Sequence, residues 1–275
     1  MDLTVPSSIQ VVVPVYKAYH ATKNCLQSLS RHNATDNILF IDDDSGDHQL
    51  TELMQHYVKK HKRWEYQVNV QNLGFVKTAN LGLQFSEGDT VLLNTDTIVS
   101  QGWLQRIQDC RQSIADLATA TPWSNNAEIC SLPLTLYNNP MPADIDRLAY
   151  ALGNQHQPQY PELPTAVGFC MLITAQAKQR VGILDEATFG HGYGEENDYS
   201  LRATAAGLRN VLVDNAYVAH IGNQSFGEMG LQPNQQTMER LLSRHPDYAE
   251  LIDNFIKKDP LAAIRQSITD KIDAF

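Results

Sequence analysis

The first hundred residues alternate between strand and helix patterns, and this alternation restricts the fold more than any other feature of the chain. Four apolar or β-branched segments have the composition of buried strands, and they cover residues 9–16, 37–42, 66–70 and 90–96. Helical patterns separate them, the first over residues 19–30 and the third directly after Gly74. This β-α-β-α-β-α-β order predicts an α/β fold with parallel strands and right-handed crossovers.

Three of the four strands end in groups that suit a polar ligand or a cation. Ligands of open α/β sheets bind beyond the carboxyl ends of the strands. The residues predicted at these ends are Pro14, Val15, Tyr16, Asp42, Asp43, Asn72, Gly74, Asn94 and Asp96. Ordinary turn and helix-capping roles are the alternative for the Asp, Asn and Gly residues. Two interpretations are open for residues 42–45, which read Asp-Asp-Asp-Ser. They could cap the helix that follows, or one Asp could accept hydrogen bonds from a nucleobase or ribose.

The helix after the third strand adds a possible phosphate site. Gly74 permits a close approach of the backbone, and Lys77 falls in the first turn of that helix. A helix N-terminus with a nearby cation suits a diphosphate. The alternative is an ordinary glycine turn with an exposed lysine.

Composition and charge exclude several classes of protein. The formal net charge of −10 argues against a general surface for nucleic acid or anionic membranes. No apolar run approaches the length of a membrane span, and the N-terminus lacks the pattern of a signal peptide. The four cysteines are far apart without a CxxC pair, which predicts buried thiols rather than a zinc site or disulfides. We therefore expect a cytoplasmic protein, with membrane contact that is at most peripheral.

The second half of the chain is less regular. Residues 122–164 are rich in Pro and Asn, with one helix predicted near 143–152. Strands are expected at 166–174 and in the segment 209–222, where the strand ends at His220. The tail from about residue 233 is predicted to be helical, and it could pack on the core, form a dimer or bind a partner.

A glycine-rich loop runs into an acidic helix start at residues 189–202. On a helix, Asp198 and Arg202 are four residues apart, which predicts a salt bridge. Glu195 and Glu196 fall in the first turn, where the helix dipole stabilises carboxylates. The dipole explains one glutamate better than two, so the second suggests a functional role.

Eight segments occur in a fixed order and cover roughly residues 9–226: VVVPVYKAY, FIDDDSGD, NLGFVKTANLGL, LLNTDT, PWSNNAEICSLP, VGFCMLI, GYGEENDYSLRATAAG and VAHIGNQSF. Together they resemble the inverting nucleotide-sugar glycosyltransferases of family 2. The resemblance implies the GT-A (Rossmann-like) fold, with a mostly parallel central sheet flanked by helices. It divides the chain into a domain over residues 1–228 and a helical extension over 229–275. Within the domain, about 1–121 would be the nucleotide-binding half and 122–228 the acceptor and catalytic half.

The resemblance also implies how the donor side is built. Residues 14–16 would border the nucleotide, Asp43 or Asp42 would contact the base, and Asn72, Gly74 and Lys77 would line the nucleotide-sugar site. The segment NTD resembles the DxD motif of the family with its first acid replaced by Asn94. Asp96 and His220 would then hold Mn²⁺ or Mg²⁺ together with the diphosphate of a UDP-linked or dTDP-linked sugar.

On the acceptor side, the resemblance implies that Glu196 is the base and Glu195 a supporting contact. The base takes the proton of the acceptor hydroxyl as its oxygen attacks the anomeric carbon. Trp123, Asn125, Asn126 and Gly168 would contact the acceptor, although a packed Trp in an irregular loop is the alternative for Trp123.

The function implied is a metal-dependent inverting glycosyltransferase acting on a glycan or lipid-linked acceptor, in the synthesis of a bacterial-type surface polysaccharide such as O-antigen. Peripheral contact with a membrane or partner protein is compatible with it. Two alternatives stay open. A sugar-nucleotidyltransferase has a related core but usually a glycine-rich loop after the first strand, where this chain has PVYKAYHATK. A binding module without transfer activity is suggested by the missing acid at Asn94.

Overall fold

The computed structural model describes residues 9–33, 36–155, 157–190, 192–222 and 235–272. Within these ranges the chain forms eight strands and eleven α-helices. The strands are β1 (Gln10–Val15), β2 (Asn37–Asp42), β3 (Trp64–Val68), β4 (Thr90–Leu93), β5 (Thr97–Val99), β6 (Leu117–Trp123), β7 (Cys170–Ile173) and β8 (Arg209–His220). The helices are α1 (Tyr19–His32), α2 (His48–Lys60), α3 (Phe75–Phe85), α4 (Trp103–Ser113), α5 (Ile145–Gln155), α6 (Ala175–Val181), α7 (Glu186–Phe189), α8 (Glu195–Ala205), α9 (Gln235–Arg244), α10 (Tyr248–Lys258) and α11 (Ala262–Ile272), with a 3-10 turn at Glu128–Cys130.

The strands form one sheet in the order β3-β2-β1-β4-β7-β6-β8-β5. Four of the seven strand pairs are parallel, and the antiparallel pairs involve β7 and β5. This confirms the predicted mostly parallel α/β sheet. The strand order reverses between β1 and β4, because β2 and β3 lie on one side of β1 and β4 on the other. Such a switch point opens a crevice at the carboxyl ends of the strands.

The central strand β1 is buried on both faces of the sheet. Val11, Val13 and Val15 pack in one apolar cluster, whereas Val12 packs in a second cluster on the other face. Helix α3 covers the second face so closely that a methyl group added at Gly82 would stand 2.2 Å from Cγ1 of Val12. This close packing sets the position of the α3 N-terminus at the crevice.

Several predicted elements are confirmed, and others differ from the prediction. The third strand begins two residues earlier than expected, and the strand expected over 90–96 ends at Leu93, before a turn. Strands β5 and β6 and helix α4 were not predicted. Strand β6 lacks the apolar pattern of a buried strand, because its sequence, LATATPW, is rich in Ala and Thr. All seven of its residues are nevertheless buried. The four cysteines are buried free thiols, as expected.

The helical tail is confirmed, and it packs on the core. Leu241 of α9 lies in the second apolar cluster, whereas Leu261 and Ile268 at α11 lie in the first. The expected domain boundary at residues 228 and 229 lies outside the described residues. Among the described helices, none combines the length and the apolar character needed to span a bilayer.

Candidate active site

The first part of the crevice is formed where β1 and β2 end side by side. The amide of Asp43 donates to the carbonyl of Val15 at 2.8 Å, and the amide of Lys17 donates to Oγ of Ser45 at 2.8 Å. Pro14 and Tyr16 are half-buried at this edge, and Lys17 has a left-handed backbone with φ of 51°. The two strand ends are therefore held together by a backbone hydrogen bond and by the side chain of Ser45.

Asp42 and Asp43 are both buried, and both accept hydrogen bonds from the protein. Asp42 accepts from the amide of Ser45 at 2.9 Å and from the hydroxyl of Tyr66 at 2.7 Å. Because its two oxygens are taken by neighbours from its own loop and from β3, Asp42 acts to hold the end of β2.

Asp43 connects β2 to the loop that leads into α3. Its carboxylate accepts from the side chain of Asn69 at 2.8 Å and from the amides of Leu73 at 2.7 Å and Gly74 at 2.8 Å. The side chain of Asn72 donates to the Asp43 carbonyl at 3.1 Å. Gly74, with φ of 85°, turns the chain into α3 and leaves Lys77 exposed in its first turn. These contacts fix the loop that carries Asn72, Gly74 and Lys77.

The turn after β4 brings Asp96 next to His220, which ends β8. The Oδ1 atom of Asp96 lies 3.3 Å from Nε2 of His220, and the amide of Ile221 donates to the Asp96 carbonyl at 2.8 Å. Asn94 lies in the same turn and its amide donates to the carbonyl of Phe169 at 2.9 Å. The sequence-predicted metal ligands are thus neighbours in space, although 124 positions separate them in the chain.

The other ring nitrogen of His220 is held by the backbone. Nδ1 of His220 lies 2.7 Å from the carbonyl oxygen of Asn126, so Nδ1 carries the hydrogen and Nε2 faces Asp96. Backbone anchoring of the second nitrogen is typical of metal-binding histidines. Burial lowers the pKa of His220, but the hydrogen bond and negative charge of Asp96 outweigh it, so that this pKa is raised. Among the described residues there is no cluster of three or more His, Cys, Asp or Glu that could hold a metal.

The predicted acceptor residues fall into two groups. Trp123 is fully buried and its indole nitrogen donates to the Asp214 carbonyl at 3.1 Å, so it has no exposed face for a sugar. Asn125 is buried too. Its side-chain oxygen accepts from the amide of His220 at 2.9 Å, and its side-chain nitrogen donates to the carbonyl of His220 at 3.0 Å. Trp123 and Asn125 therefore support the site from within, whereas Asn126 and Gly168 are only half-buried.

Helix α8 begins with the two glutamates. Gly194, with a left-handed φ of 95°, precedes the helix, and Glu195 and Glu196 form its first turn. The Oε2 atoms of both side chains are shielded from solvent and accept no hydrogen bond within the described part of the chain. Burial raises the pKa of Glu196, and burial together with the charge of Glu196 raises the pKa of Glu195 well above its ordinary value.

A short segment before β7 connects the glutamates to the Asp96–His220 pair. The ring of Phe169 stacks on His220 with centroids 5.2 Å apart, while Gly168 lies against Glu196. A Cβ atom added at Gly168 would stand 3.7 Å from Cγ of Glu196. Consecutive residues thus contact His220 and Glu196, which places the two groups on adjoining parts of one site.

Three residues that were not predicted also belong to this region. Tyr193 has a left-handed backbone with φ of 70°, and its pKa is raised by burial and by the charges of Glu195, Glu196 and Asp96. The charge of Glu128 acts on Glu196 and on Tyr248 of α10. A positive φ at Tyr193 has no signal in sequence other than the flanking glycines.

The predicted salt bridge within α8 is confirmed. Nε of Arg202 lies 2.7 Å from Oδ2 of Asp198, which is fully buried. The guanidinium of Arg202 also donates to the carbonyls of Val181 and Ile183 at 2.9 and 3.0 Å. This pair holds α8 against α6 and has no part in a ligand site.

Comparisons with known proteins concern the first half of the sequence and the overall fold. Residues 10–127 match the family model described as glycosyl transferase family 2. No curated protein matches the chain at a significant level.

Three solved structures illustrate the likeness in fold. A structure of GalNAc-T7 with UDP, GalNAc and Mn²⁺ is 14% identical at a TM-score of 0.62, over 98% of this chain and 55% of that one. A structure of S. aureus TarS with UDP-GlcNAc is 11% identical at 0.54, over 84% of this chain and 60% of that one. The mannosyltransferase PcManGT from Pyrobaculum calidifontis with GDP-Man and Mn²⁺ is 11% identical at 0.55, over 98% and 78%.

The chain spans little more than half of the GalNAc-T7 structure, and identities this low speak to the fold alone. The order of the strands, the switch point between β1 and β4 and the family match over residues 10–127 agree with one another. The chain therefore has the fold of these solved structures, and its residues 10–127 match the model of glycosyl transferase family 2.

Proposed function

We propose that this protein transfers a sugar from a nucleoside-diphosphate sugar to a hydroxyl group of a glycan or lipid-linked acceptor, with inversion at the anomeric carbon. The observation that carries the proposal is the shielded Oε2 of Glu196, which accepts no hydrogen bond among the described residues. The Glu196 side chain lies against Gly168, next to Phe169, whose ring stacks on His220. Oε1 of Glu196 accepts from the side chain of Asn197 at 3.4 Å. A buried carboxylate oxygen without a donor costs free energy unless a ligand or a proton completes it. Glu196 is therefore suited to receive a proton from a bound acceptor.

The donor set of Asp96 and His220 fits a divalent cation such as Mn²⁺ or Mg²⁺. Because Nδ1 of His220 is bound to the Asn126 carbonyl, the neutral ring presents a lone pair to Asp96, and two acceptors 3.3 Å apart need a proton or a cation. A cation bound there would supply positive charge to the departing diphosphate. Asn94 adds no charge, so we expect modest affinity for the metal alone.

Other residues of the chain bind the donor and accept the proton. Gly74 and Lys77 at the start of α3 bind the diphosphate, and residues 14–16 with Asp43 border the nucleoside. Glu196 accepts the hydroxyl proton while the acceptor oxygen bonds to the anomeric carbon. The bond from that carbon to the diphosphate oxygen breaks, and the nucleoside diphosphate leaves with the electron pair.

The comparisons support this assignment at the level of substrate class. The solved structures of similar fold are described with UDP, UDP-GlcNAc or GDP-Man, and two of them with Mn²⁺. Glu195, Asn126 and Gly168 are proposed to face the acceptor. A surface polysaccharide such as O-antigen as product, and a cytoplasmic location, are proposals that rest on the family resemblance.

Titration calorimetry with UDP, dTDP and GDP, each with and without Mn²⁺, tests the proposal. We expect one of them to bind with an affinity that Mn²⁺ increases, and the matching nucleotide sugars to be hydrolysed or used for transfer. Absence of binding by all three nucleotides would refute the proposal.

Asn94 favours one competing function, a module that binds nucleotide or carbohydrate without transfer. Such a module would bind a nucleoside diphosphate but release none from any nucleotide sugar. Turnover that depends on Glu196 would exclude it.

A further inference from the structure

The end of β8 is bound by a side chain in the place of a neighbouring strand. Strand β6 pairs with β8 up to Trp123, which lies opposite Tyr217. Beyond that point the side chain of Asn125 pairs with both backbone groups of His220. Its Oδ1 accepts from the His220 amide at 2.9 Å, and its Nδ2 donates to the His220 carbonyl at 3.0 Å. The amide of Asn125 therefore continues the hydrogen-bond ladder of β8 past the end of β6.

The residue after Asn125 holds the ring of His220. Nδ1 of His220 lies 2.7 Å from the carbonyl oxygen of Asn126, and the ring of Phe169 stacks on the imidazole. Nε2 faces Oδ1 of Asp96 at 3.3 Å. Because Asn126 follows Asn125 directly, a shift of Asn125 would move the carbonyl that binds Nδ1. One short segment thus positions both the backbone and the ring of His220.

A second asparagine holds Asn125 in turn. The backbone amide and the side-chain Nδ2 of Asn139 both donate to the carbonyl of Asn125, at 2.9 and 3.1 Å. In the opposite direction, Nδ2 of Asn125 donates to the carbonyl of Asn139 at 3.3 Å. The side chain of Asn139 also donates to the carbonyls of Leu134 and Tyr137 at 2.8 and 3.1 Å, which closes its own loop. Both asparagines are 3% exposed, so these hydrogen bonds are shielded from water.

The chemistry of an asparagine side chain explains why this residue type stands beside His220. Its amide offers an acceptor and a donor side by side, which match the N–H and the C=O of one residue. An aspartate of the same size could accept from the His220 amide but could not donate to its carbonyl. Loss of the amide would leave buried backbone groups without partners, which favours a shift of the end of β8.

We propose that Asn125 is a positioning residue that holds His220 so that Nε2 faces Asp96, with Asn139 as its support. The inference rests on the proposed function, in which Asp96 and His220 hold the divalent cation. Hydrogen-bond partners of metal-binding residues fix the orientation of the ligand and so contribute to metal affinity. Asn125, which was expected from the sequence to contact the acceptor, is thereby given a role on the donor side.

The chain offers a matched control in Asn80. Its side chain also pairs with both backbone groups of one residue, donating to the carbonyl of Leu184 at 2.9 Å and accepting from its amide at 3.0 Å. Asn80 is 3% exposed, as Asn125 is, but Leu184 is a residue of the second apolar cluster. Asn125→Ala and Asn80→Ala therefore remove equivalent hydrogen bonds, and only those of Asn125 bind His220.

Calorimetry measures the Kd of the nucleoside diphosphate that the wild type binds, with and without Mn²⁺, and the ratio of the two constants gives the contribution of the metal. We expect Asn125→Ala to reduce this ratio by about 10-fold or more, and Asn80→Ala to leave it unchanged. Urea denaturation should show similar losses of stability in the two variants. Nitrogen NMR of the histidine rings in the metal-free protein should show the Nδ1–H tautomer of His220 in the wild type and in Asn80→Ala, and a mixture of tautomers in Asn125→Ala.

An unchanged ratio in Asn125→Ala, or an equal loss in Asn80→Ala, would overturn the inference while the response of the wild type to Mn²⁺ keeps the proposed function. If Asn125→Ala does not fold, Asn139→Ala provides the test, because it keeps the side chain of Asn125 and removes its support. We expect a smaller loss of the ratio in Asn139→Ala, and an unchanged ratio there would count against the inference. A wild type that binds nucleotide without a response to Mn²⁺ would remove the metal site and the inference with it, whereas absence of binding by UDP, dTDP and GDP would remove the proposed function itself.

Discussion

Asp43 and Glu196 are both shielded carboxylates beside the start of a helix, but their surroundings differ. Asp43 accepts three hydrogen bonds from the loop that leads into α3, two of them from backbone amides. The Oε2 atom of Glu196 accepts none within the described chain, and the same holds for Glu195. Carboxylates that are complete without a ligand hold the donor side in shape, whereas the incomplete ones mark where chemistry is expected.

Removal of the proposed base should give the largest effect. Glu196→Gln keeps the shape of the side chain but abolishes its ability to accept a proton, so we expect kcat to fall by about 10²–10⁴-fold with donor affinity retained. Glu52→Gln, on the exposed face of α2, is the control. Release of nucleoside diphosphate under saturating donor and acceptor measures the effect, and unchanged turnover would remove Glu196 from the mechanism.

The protonation of Glu196 should also make kcat depend on pH. Because burial raises the pKa of Glu196, its carboxylate takes up a proton at a higher pH than an ordinary glutamate. A base works only when unprotonated, so kcat should begin to decline on acidification at a pH above about 4.3, the ordinary pKa of glutamate. A rate that stays constant down to that pH would contradict the assignment.

Loss of charge at Asp43 should affect stability. Asp43→Asn places an amide group against the Gly74 amide and loses charge-assisted hydrogen bonds, so the free energy of unfolding should fall by about 2–3 kcal/mol. Asp44→Asn, at an exposed neighbour with a left-handed φ of 57°, should change it by less than about 0.5 kcal/mol. Urea denaturation compares the two, and equal losses would show that Asp43 is not the organising residue.

The Asp96–His220 pair is intermediate between Asp43, whose carboxylate has several protein donors, and Glu196, whose Oε2 has none among the described residues, because Asp96 and His220 face each other. Asp96→Asn should reduce nucleotide affinity in the presence of Mn²⁺ by at least about 10–100-fold, and should change it little without the metal. The reverse change, Asn94→Asp, should strengthen binding of Mn²⁺ by adding a carboxylate to the turn. Calorimetry tests both, and a metal-independent loss in Asp96→Asn would indicate a structural role.

The fold was more predictable from sequence than the site. Runs such as IQVVVPVY and NILFID are buried on both faces, so their composition reveals the strands directly. Strand β6, built from Ala and Thr, and the three-residue β5 carry no such pattern. The order of the motifs brought out Asp96, His220 and Glu196 as candidates.

Other parts of the site depend on tertiary packing and have no local signal. Trp123 was expected to face a sugar, but β6 runs through the core and buries it completely. Tyr193, Glu128 and Tyr248 approach the glutamates from a strained loop, a 3-10 turn and the tail. Contacts between such distant segments follow from the path of the whole chain, which no short pattern encodes.

The smallest expected effect is a gain in stability, and it concerns Glu195. Its pKa is raised well above the ordinary value by burial and by the charge of Glu196, so the folded state favours the protonated form. The stability associated with this proton is present below the ordinary pKa and is lost as pH rises through the raised pKa. Glu195→Gln removes the ionisable group, so we expect the free energy of unfolding to increase by about 1–2 kcal/mol at neutral pH, and less near pH 4.5. Thermal unfolding at both pH values, with the exposed Glu65→Gln as control, measures this difference. A gain that is equal at the two pH values, or a loss at neutral pH, would show that Glu195 is paired like Asp43. A pH-dependent gain would show that the fold carries an unpaired carboxylate at a cost in stability, as expected where selection acts on chemistry.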